Sequence, residues 1–141
     1  MTTIPTVKLS LIREATVQYD ERVTVPEQAA AIVRKLTHND ADESFYILAL
    51  DVKNRINHVY LAAKGDSEHV ELKIADLFRA AIVVNSSAII AAHNHPSGDA
   101  TPSNEDIALT ARIDAACKIL GIRFLDSLVV CETTYKRIPL P

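Results

Sequence analysis

The chain contains 141 residues with a mass of 15.5 kDa, a length typical of one domain. It is 48% hydrophobic and 23% charged, which excludes an intrinsically disordered chain and a collagen-like fibre. Its 15 Lys and Arg residues against 18 Asp and Glu give a net charge of -3. This sign is wrong for a protein that coats DNA through charge alone, although local basic patches leave nucleic-acid binding open.

The two cysteines, Cys117 and Cys131, are too few for a disulfide framework or a Cys-rich zinc site. We interpret both as reduced thiols in or near the core. Residues 1–10 lack the pattern of a signal peptide, and no apolar run approaches the roughly 20 residues that span a bilayer. The sequence therefore predicts a soluble, cytoplasmic protein with no membrane partner.

The first predicted element is an N-terminal extension or strand over residues 1–23, in which residues 7–19 suit a strand or an extended lead. Thr24-Val25-Pro26-Glu27 then resembles a capping box with an early proline, two signals that begin a helix. Apolar residues at helical spacing follow. They predict a helix from about Pro26 to Thr37.

A hairpin and a second helix are predicted next. Residues 44–50 are apolar and rich in aromatic residues, as in a buried strand, and residues 56–63 form its return strand after a polar turn. Gly65 and Asp66 end that strand. Ile74, Leu77, Phe78 and Ala81 recur at helical spacing, which predicts a helix over about residues 70–84.

The C-terminal half predicts a central strand, a helix and two last strands. The apolar run 87–92 is typical of a strand buried on both faces, and a loop with two prolines follows it. A third helix begins at Ser103 and ends at Gly121, before strands at 124–130 and 135–138. Because helices and strands alternate without a strict βαβ rhythm, we expect a two-layer or three-layer α/β sandwich with a mixed sheet.

His93 and His95 lie two residues apart at the end of the predicted central strand, so both imidazoles face the same side of an extended chain. Pro96 favours extended geometry at His95. Ser103 and Asp106 follow in the first turn of the third helix, which the loop could bring back over the histidines. Two imidazoles and one carboxylate are the ligand set of a catalytic metal site with an open position for water.

Each of these residues also has a purely structural interpretation. A histidine at a strand end is usually a rim residue, and Ser-x-x-Asp is a helix-capping pattern. Capping and metal binding are compatible, because an N-cap fixes the turn that would present the carboxylate. The remaining histidines, His38, His58 and His69, have polar neighbours, and we interpret them as solvated.

The spacing of the motif is similar to a known signature. His93-x-His95-Pro96, six residues, Ser103, two residues and Asp106 resembles the full JAMM signature of the JAB/MPN metallopeptidase superfamily. The wider string, HNHPSGDATPSNED, resembles the RadC branch of that superfamily, and the resemblance extends from about Thr24 through the last strands.

The resemblance implies a JAB/MPN (cytidine deaminase-like) sandwich over residues 24–141, with a mixed central sheet flanked by helices, that binds Zn²⁺. It implies that His93, His95 and Asp106 are the metal ligands. It also implies that Ser103 supports the zinc-bound water and the oxyanion, and that Glu43 moves a proton from that water to the leaving amine. The residues alone do not single out Glu43, since a Glu that opens a strand is usually solvated.

The chain departs from the family pattern at two places outside the metal motif. Lys73-Ile74-Ala75-Asp76 replaces the usual His-Pro-Arg-Glu, and Asp126-Ser127 replaces the usual Asp-His. The resemblance therefore does not imply the family's substrate contacts for this chain, nor a histidine that would support the metal ligands. RadC-like proteins often carry a helical segment ahead of the JAB domain, and we expect this chain to be the catalytic domain alone.

The function that follows is a zinc-dependent metallohydrolase that cleaves a peptide or isopeptide bond in a peptide or protein substrate. Three alternatives stay open. RadC-like proteins are commonly labelled as DNA repair proteins, although no stripe of Lys and Arg interleaved with aromatics is present. The others are a metal-binding interaction module without turnover and a mononuclear iron site, since the same ligands suit iron. The oligomeric state is not predicted.

Overall fold

The chain folds into one mixed sheet covered by helices on both faces. The computed structural model describes residues 1–18, 24–65 and 72–141. The elements found there are α1 (Pro26–Thr37), β1 (Glu43–Leu50), β2 (Ile56–Gly65), α2 (Ile74–Val83), β3 (Ala88–Asn94), α3 (Asn104–Leu120), β4 (Arg123–Val130) and β5 (Tyr135–Arg137).

The five strands lie in the order β2-β1-β3-β4-β5. β3 and β4 are parallel and are joined through α3, whereas the other neighbouring pairs are antiparallel. Every residue of the central strand β3 is buried, as expected for a strand covered on both faces. The predicted α/β sandwich with a mixed central sheet is confirmed.

Two apolar cores lie on opposite faces of the sheet, because successive side chains of a strand point to opposite sides. Leu48 of β1 and Ile90 of β3 pack with α1, whereas Ile47 and Ile89 pack with α2 and α3. The sandwich therefore has three layers, and the end of β3 is held between helices of both outer layers.

The predicted first helix is confirmed over Pro26–Thr37, but its cap differs from the prediction by one residue. Val25 is the N-cap, and the Oε1 atom of Gln28 accepts hydrogen bonds from the amides of Thr24 (2.7 Å) and Val25 (3.3 Å). Because the helix begins at the proline, the third helical position is Gln28 and not Glu27.

The predicted start of the second helix is wrong. Helix α2 begins at Ile74, and Lys73 before it is extended, with φ of -79° and ψ of 132°. The apolar period that indicates the helix also begins at Ile74. Leu72 contacts the same core without being helical. Part of the predicted helix, residues 70–71, lies outside the described residues.

The N-terminal segment forms neither helix nor strand over residues 1–18. Val17 packs against the core that contains α1, and the Nζ atom of Lys35 donates to the carbonyl of Gln18 at 3.2 Å. The strand predicted as one alternative for this segment is therefore not found in its described part.

Both cysteines, Cys117 and Cys131, are buried free thiols, as predicted. Burial raises the pKa of Cys117 to about 12 and also raises that of Cys131. Among the residues that the structure describes, no helix is long and apolar enough to cross a membrane.

Candidate metal centre

His93, His95 and Asp106 converge at the end of β3. The Nε2 atoms of the two histidines are 3.1 Å apart. Asp106 lies between them, with Oδ1 at 3.1 Å from Nε2 of His93 and Oδ2 at 3.2 Å from Nε2 of His95. Across residues 1–18, 24–65 and 72–141, this is the one group of three such side chains whose ligand atoms all lie within 4.8 Å of one another.

His93 is fixed by the sheet. It belongs to β3 and pairs in register with Phe45 of β1. The two rings stack with centroids 5.4 Å apart and an angle of 9° between their planes. Only 5% of the His93 side chain is exposed, so the strand and the Phe45 ring leave it little freedom.

His95 is the first residue after β3, and hydrogen bonds from its main chain and its ring hold it in place. Its amide donates to the carbonyl of Val130 at 3.1 Å, and its own carbonyl accepts from the amide of Gly98 at 3.1 Å. Gly98 has φ of 87°, a conformation that favours glycine. The Nδ1 atom of His95 lies 2.8 Å from the carbonyl oxygen of Asp99. A carbonyl only accepts, so Nδ1 carries the hydrogen, and Nε2 is the nitrogen that faces the cluster.

Asp106 reaches the cluster because Ser103 caps helix α3. The Oγ atom of Ser103 accepts from the amide of Asp106 at 3.1 Å, and Oδ2 of Asp106 accepts from the amide of Ser103 at 2.8 Å. This is the reciprocal capping box that the sequence predicts. The same carboxylate also faces both histidines, so the cap and the ligand cluster share one side chain.

The charged forms of Asp106 and His95 stabilise each other. Burial raises the pKa of Asp106, but hydrogen bonds from His93 and His95 outweigh this effect and hold the pKa well below its usual range. The hydrogen bond to Asp106 in turn raises the pKa of His95, against the opposing effect of its partial burial. A carboxylate that stays ionised and two imidazoles around it form a site for a cation.

The spacing of the ligand atoms is close to that around a metal ion. Ligands about 2.1 Å from a tetrahedral zinc ion lie about 3.4 Å from one another. The Nε2 atoms of His93 and His95 are 3.1 Å apart, and they lie 3.1 Å and 3.2 Å, respectively, from the two different carboxylate oxygens of Asp106. Nitrogen and oxygen donors with a further open position are also what a catalytic zinc site contains. The cluster can therefore hold a metal ion with little rearrangement.

Glu43 is the first residue of β1, and the structure brings it to the same place. Its Oε1 atom lies 3.9 Å from Nε2 of His95, and 34% of its side chain is exposed. That distance is too long for a direct hydrogen bond, so the carboxylate lies beside the ligands without being bound to His95.

Asn94 lies between the two histidines in sequence and is buried, with 5% of its surface exposed. Its Oδ1 atom accepts from the amide of Ser44 at 2.6 Å, and its Nδ2 atom donates to the carbonyl of Asp42 at 3.1 Å. The Asn94 side chain therefore holds the main chain on each side of Glu43.

A cleft of about 290 Å³ opens beside the cluster. Its lining includes His95, Asn94 and the loop residues Pro96 to Gly98, and it continues to Arg34 and Glu132. Of the candidate site residues, only His95 lines this cleft.

His38, His58 and the Asp126-Ser127 pair lie outside the cluster. His38 and His58 are exposed, as predicted, and His69 lies outside the described residues. Ser127 is buried, and its Oγ atom lies 2.9 Å from Oγ1 of Thr110, which joins β4 to α3. Asp126 accepts from Nε of Arg137 at 3.1 Å.

Sequence reasoning missed the residues that orient the cluster: Phe45, Asn94 and the carbonyl of Asp99. An aromatic residue in a strand, or an Asn between two histidines, carries no local signal of such a contact. The carbonyl of Asp99 has no side-chain signal at all. Only the position of Gly98 within a proline-containing loop indicates that the chain turns back there.

Comparisons with known proteins agree with this geometry. Residues 23–137 match the sequence model of the family described as RadC-like JAB domain. A UPF0758 protein of Carboxydothermus hydrogenoformans is 37% identical over 110 residues, covering 78% of this chain and 49% of the relative. One of Desulforudis audaxviator is 34% identical over 123 residues, covering 87% and 54%. The chain spans about half the length of these curated relatives, and their name states no activity.

Proposed function

The chain belongs to the RadC-like JAB domain family, and on that premise we propose that it is a zinc-dependent hydrolase that cleaves a peptide or isopeptide bond. One observation carries the proposal: the carboxylate of Glu43 lies 3.9 Å from a histidine whose Nε2 belongs to a three-ligand cluster. His93, His95 and Asp106 would hold the zinc ion. When bound, zinc lowers the pKa of a water molecule and polarises the carbonyl of the scissile bond.

Glu43 is the proposed general base and general acid. Its carboxylate is one-third exposed and lies outside hydrogen-bonding distance of His95, so it is free to accept a hydrogen bond from a water molecule at the site. It takes a proton from the attacking water as the new C–O bond forms. It returns that proton to the nitrogen of the leaving amine as the C–N bond breaks.

Ser103 is the proposed donor to the oxyanion. Its Oγ atom accepts from the amide of Asp106, and the O–H hydrogen finds no acceptor among the described residues. A hydroxyl held by a helix cap is a preorganised donor, which is how enzymes stabilise the negative oxygen that develops on the carbonyl. The capping contact therefore supports this role.

The test uses zinc-loaded protein and a library of peptides and Lys-linked isopeptides, with cleavage followed by mass spectrometry in H₂¹⁸O. We expect new carboxyl termini that carry ¹⁸O. Glu43→Gln should retain zinc and lose cleavage by roughly 100-fold or more, the contribution of a general base. Glu105→Gln makes the same chemical change at an exposed residue of helix α3 and is the control.

Two results would contradict the proposal. One is cleavage by Glu43→Gln at the rate of the wild type, and the other is cleavage that survives complete removal of the metal. Elemental analysis of the purified protein tests the metal itself, and we expect zinc. Iron at one equivalent would replace the zinc assignment, because the same donors suit both metals.

A further inference from the structure

The side chain of Asn94 makes different contacts from those of its neighbours His93 and His95. Alternate residues of a strand point to opposite faces, so Asn94 lies on the face opposite His93. The cores agree, since Ala92 packs with α1, whereas Ala91 packs with α2 and α3. Asn94 therefore cannot join the ligand cluster. Its buried amide needs a different explanation.

Both ends of that amide bind the main chain beside Glu43. Oδ1 accepts from the amide of Ser44, and Nδ2 donates to the carbonyl of Asp42. Ser44 lies next to Phe45, which pairs with His93, so Asn94 continues the β1–β3 ladder through its side chain. The residue between the two contacts is Glu43.

We propose that Asn94 is a positioning residue that holds the Glu43 carboxylate beside the metal ligands through the main chain on either side of it. This inference rests on the proposed function. β1 begins at Glu43, which pairs with Gly65 at the end of β2, and the terminal residues of an element open most easily. Two hydrogen bonds from one buried amide fix the peptide units before and after Glu43. The two histidine ligands and the residue that positions the base are thereby consecutive in sequence, at the end of β3 and just after it.

The expected effect is on turnover and not on metal binding. A displacement of about 1 Å at a catalytic group can cost on the order of 100-fold in rate. For Asn94→Leu and Asn94→Ala we therefore expect kcat to fall roughly 10- to 100-fold. Zinc affinity should change by less than the roughly 10- to 100-fold that follows loss of a residue behind a ligand. Asn94 also lines the cleft, so KM is measured separately, and we expect it to stay unchanged.

Two variants separate hydrogen bonding from packing. Leu has the same number and branching of side-chain heavy atoms as Asn and forms no hydrogen bond, whereas Ala also leaves a cavity. A positioning role predicts similar kcat values for both variants. A packing role predicts a larger loss for Ala. Ile90→Val is the control, because it removes a buried methyl from the same face of β3 and should leave kcat unchanged.

A second measurement does not depend on activity. In the wild type, the amide hydrogen of Ser44 should be protected from exchange with solvent. In Asn94→Ala it should exchange at least about ten times faster, because the amide has lost its hydrogen bond. The protein is the full chain in both cases. Rapid exchange of this amide in the wild type would overturn the inference, even if neither variant folded.

The outcomes distinguish the two proposals. If both Asn94 variants have the kcat of the wild type while Glu43→Gln is inactive, the role of Asn94 is overturned and the proposed function stands. Zinc loss in the Asn94 variants equal to that of a ligand variant also overturns it, since Asn94 would then act on the ligands. Wild-type activity in Glu43→Gln overturns the proposed function and this inference together.

Discussion

Loss of His95 should abolish stabilisation by zinc without disrupting the fold. His95 lies just after β3, and 13% of its side chain is exposed. His93 is a poorer choice for this test, because its buried ring stacks on Phe45 and its removal would leave a cavity. We therefore expect His95→Ala to retain the fold in the absence of metal and to lack the rise in Tm that zinc gives the wild type.

The size of the difference follows from mass action. Free zinc at about 100 times its Kd stabilises the wild type by about 2.7 kcal/mol. For a domain of this size, at about 3–4 °C per kcal/mol, Tm should rise by roughly 8–11 °C. Removal of a ligand should weaken binding by roughly 100-fold or more, since loss of a group behind a ligand already costs about 10- to 100-fold. At the same zinc concentration, His95→Ala then gains at most about 0.4 kcal/mol, or 1–2 °C.

The assay is thermal unfolding by circular dichroism, with zinc buffered by a chelator so that its free concentration is known. His58→Ala is the control, because His58 is an exposed histidine of the edge strand β2. It should respond to zinc like the wild type. An equal rise in Tm for His95→Ala and the wild type would refute the assignment of His95 as a ligand.

Two further predictions follow from the contacts of Asp106. Ser103→Ala removes an N-cap and should lower the stability by about 1 kcal/mol, measured by urea unfolding, whereas Ser103→Thr retains a capping hydroxyl and should lose less; equal losses would contradict the cap. Without metal, the His95–Asp106 pair should stabilise the fold most between about pH 4 and pH 6.5. The raised pKa of His95 gives stability that is lost as the pH rises through it, and the lowered pKa of Asp106 gives stability that is lost as the pH falls through it. The Tm difference between the wild type and His95→Ala should therefore shrink above that range, and a difference that grows with pH would contradict the pairing.

The parts of the fold that the sequence predicts well depend on local signals. Helices α1 and α3 have apolar residues at helical spacing and clear end signals, Pro26 for the first and Ser103 and Gly121 for the other. Helix α2 lacks a strong N-cap, since Lys73 precedes it and no side-chain hydrogen bond closes its first turn. Without a capping signal, the predicted start fell four residues before Ile74, where both the apolar period and the helix begin.

The residues of the candidate site also differ in whether a local signal predicts them. His93, His95 and Asp106 come from one short stretch, so strand alternation and a helix cap were enough to predict that they meet. Glu43 was selected only through the family resemblance, because its position depends on the pairing of β1 with β3. Asn94 was missed since its contact with Ser44 joins residues 50 apart in sequence. Pairing over that distance has no signature in a single sequence.

The candidate ligands and the proposed base lie in separate segments of the sequence, and this affects how relatives are compared. The candidate ligands of this chain are encoded in one continuous segment, from His93 to Asp106, whereas the proposed base is the first residue of another strand. Under the proposed function, a substitution at residue 43 would leave the histidine motif intact to any motif search, yet would remove the base and leave only metal binding. On that proposal, membership in the family and competence in hydrolysis are separate questions, and the second depends on the first residue of β1.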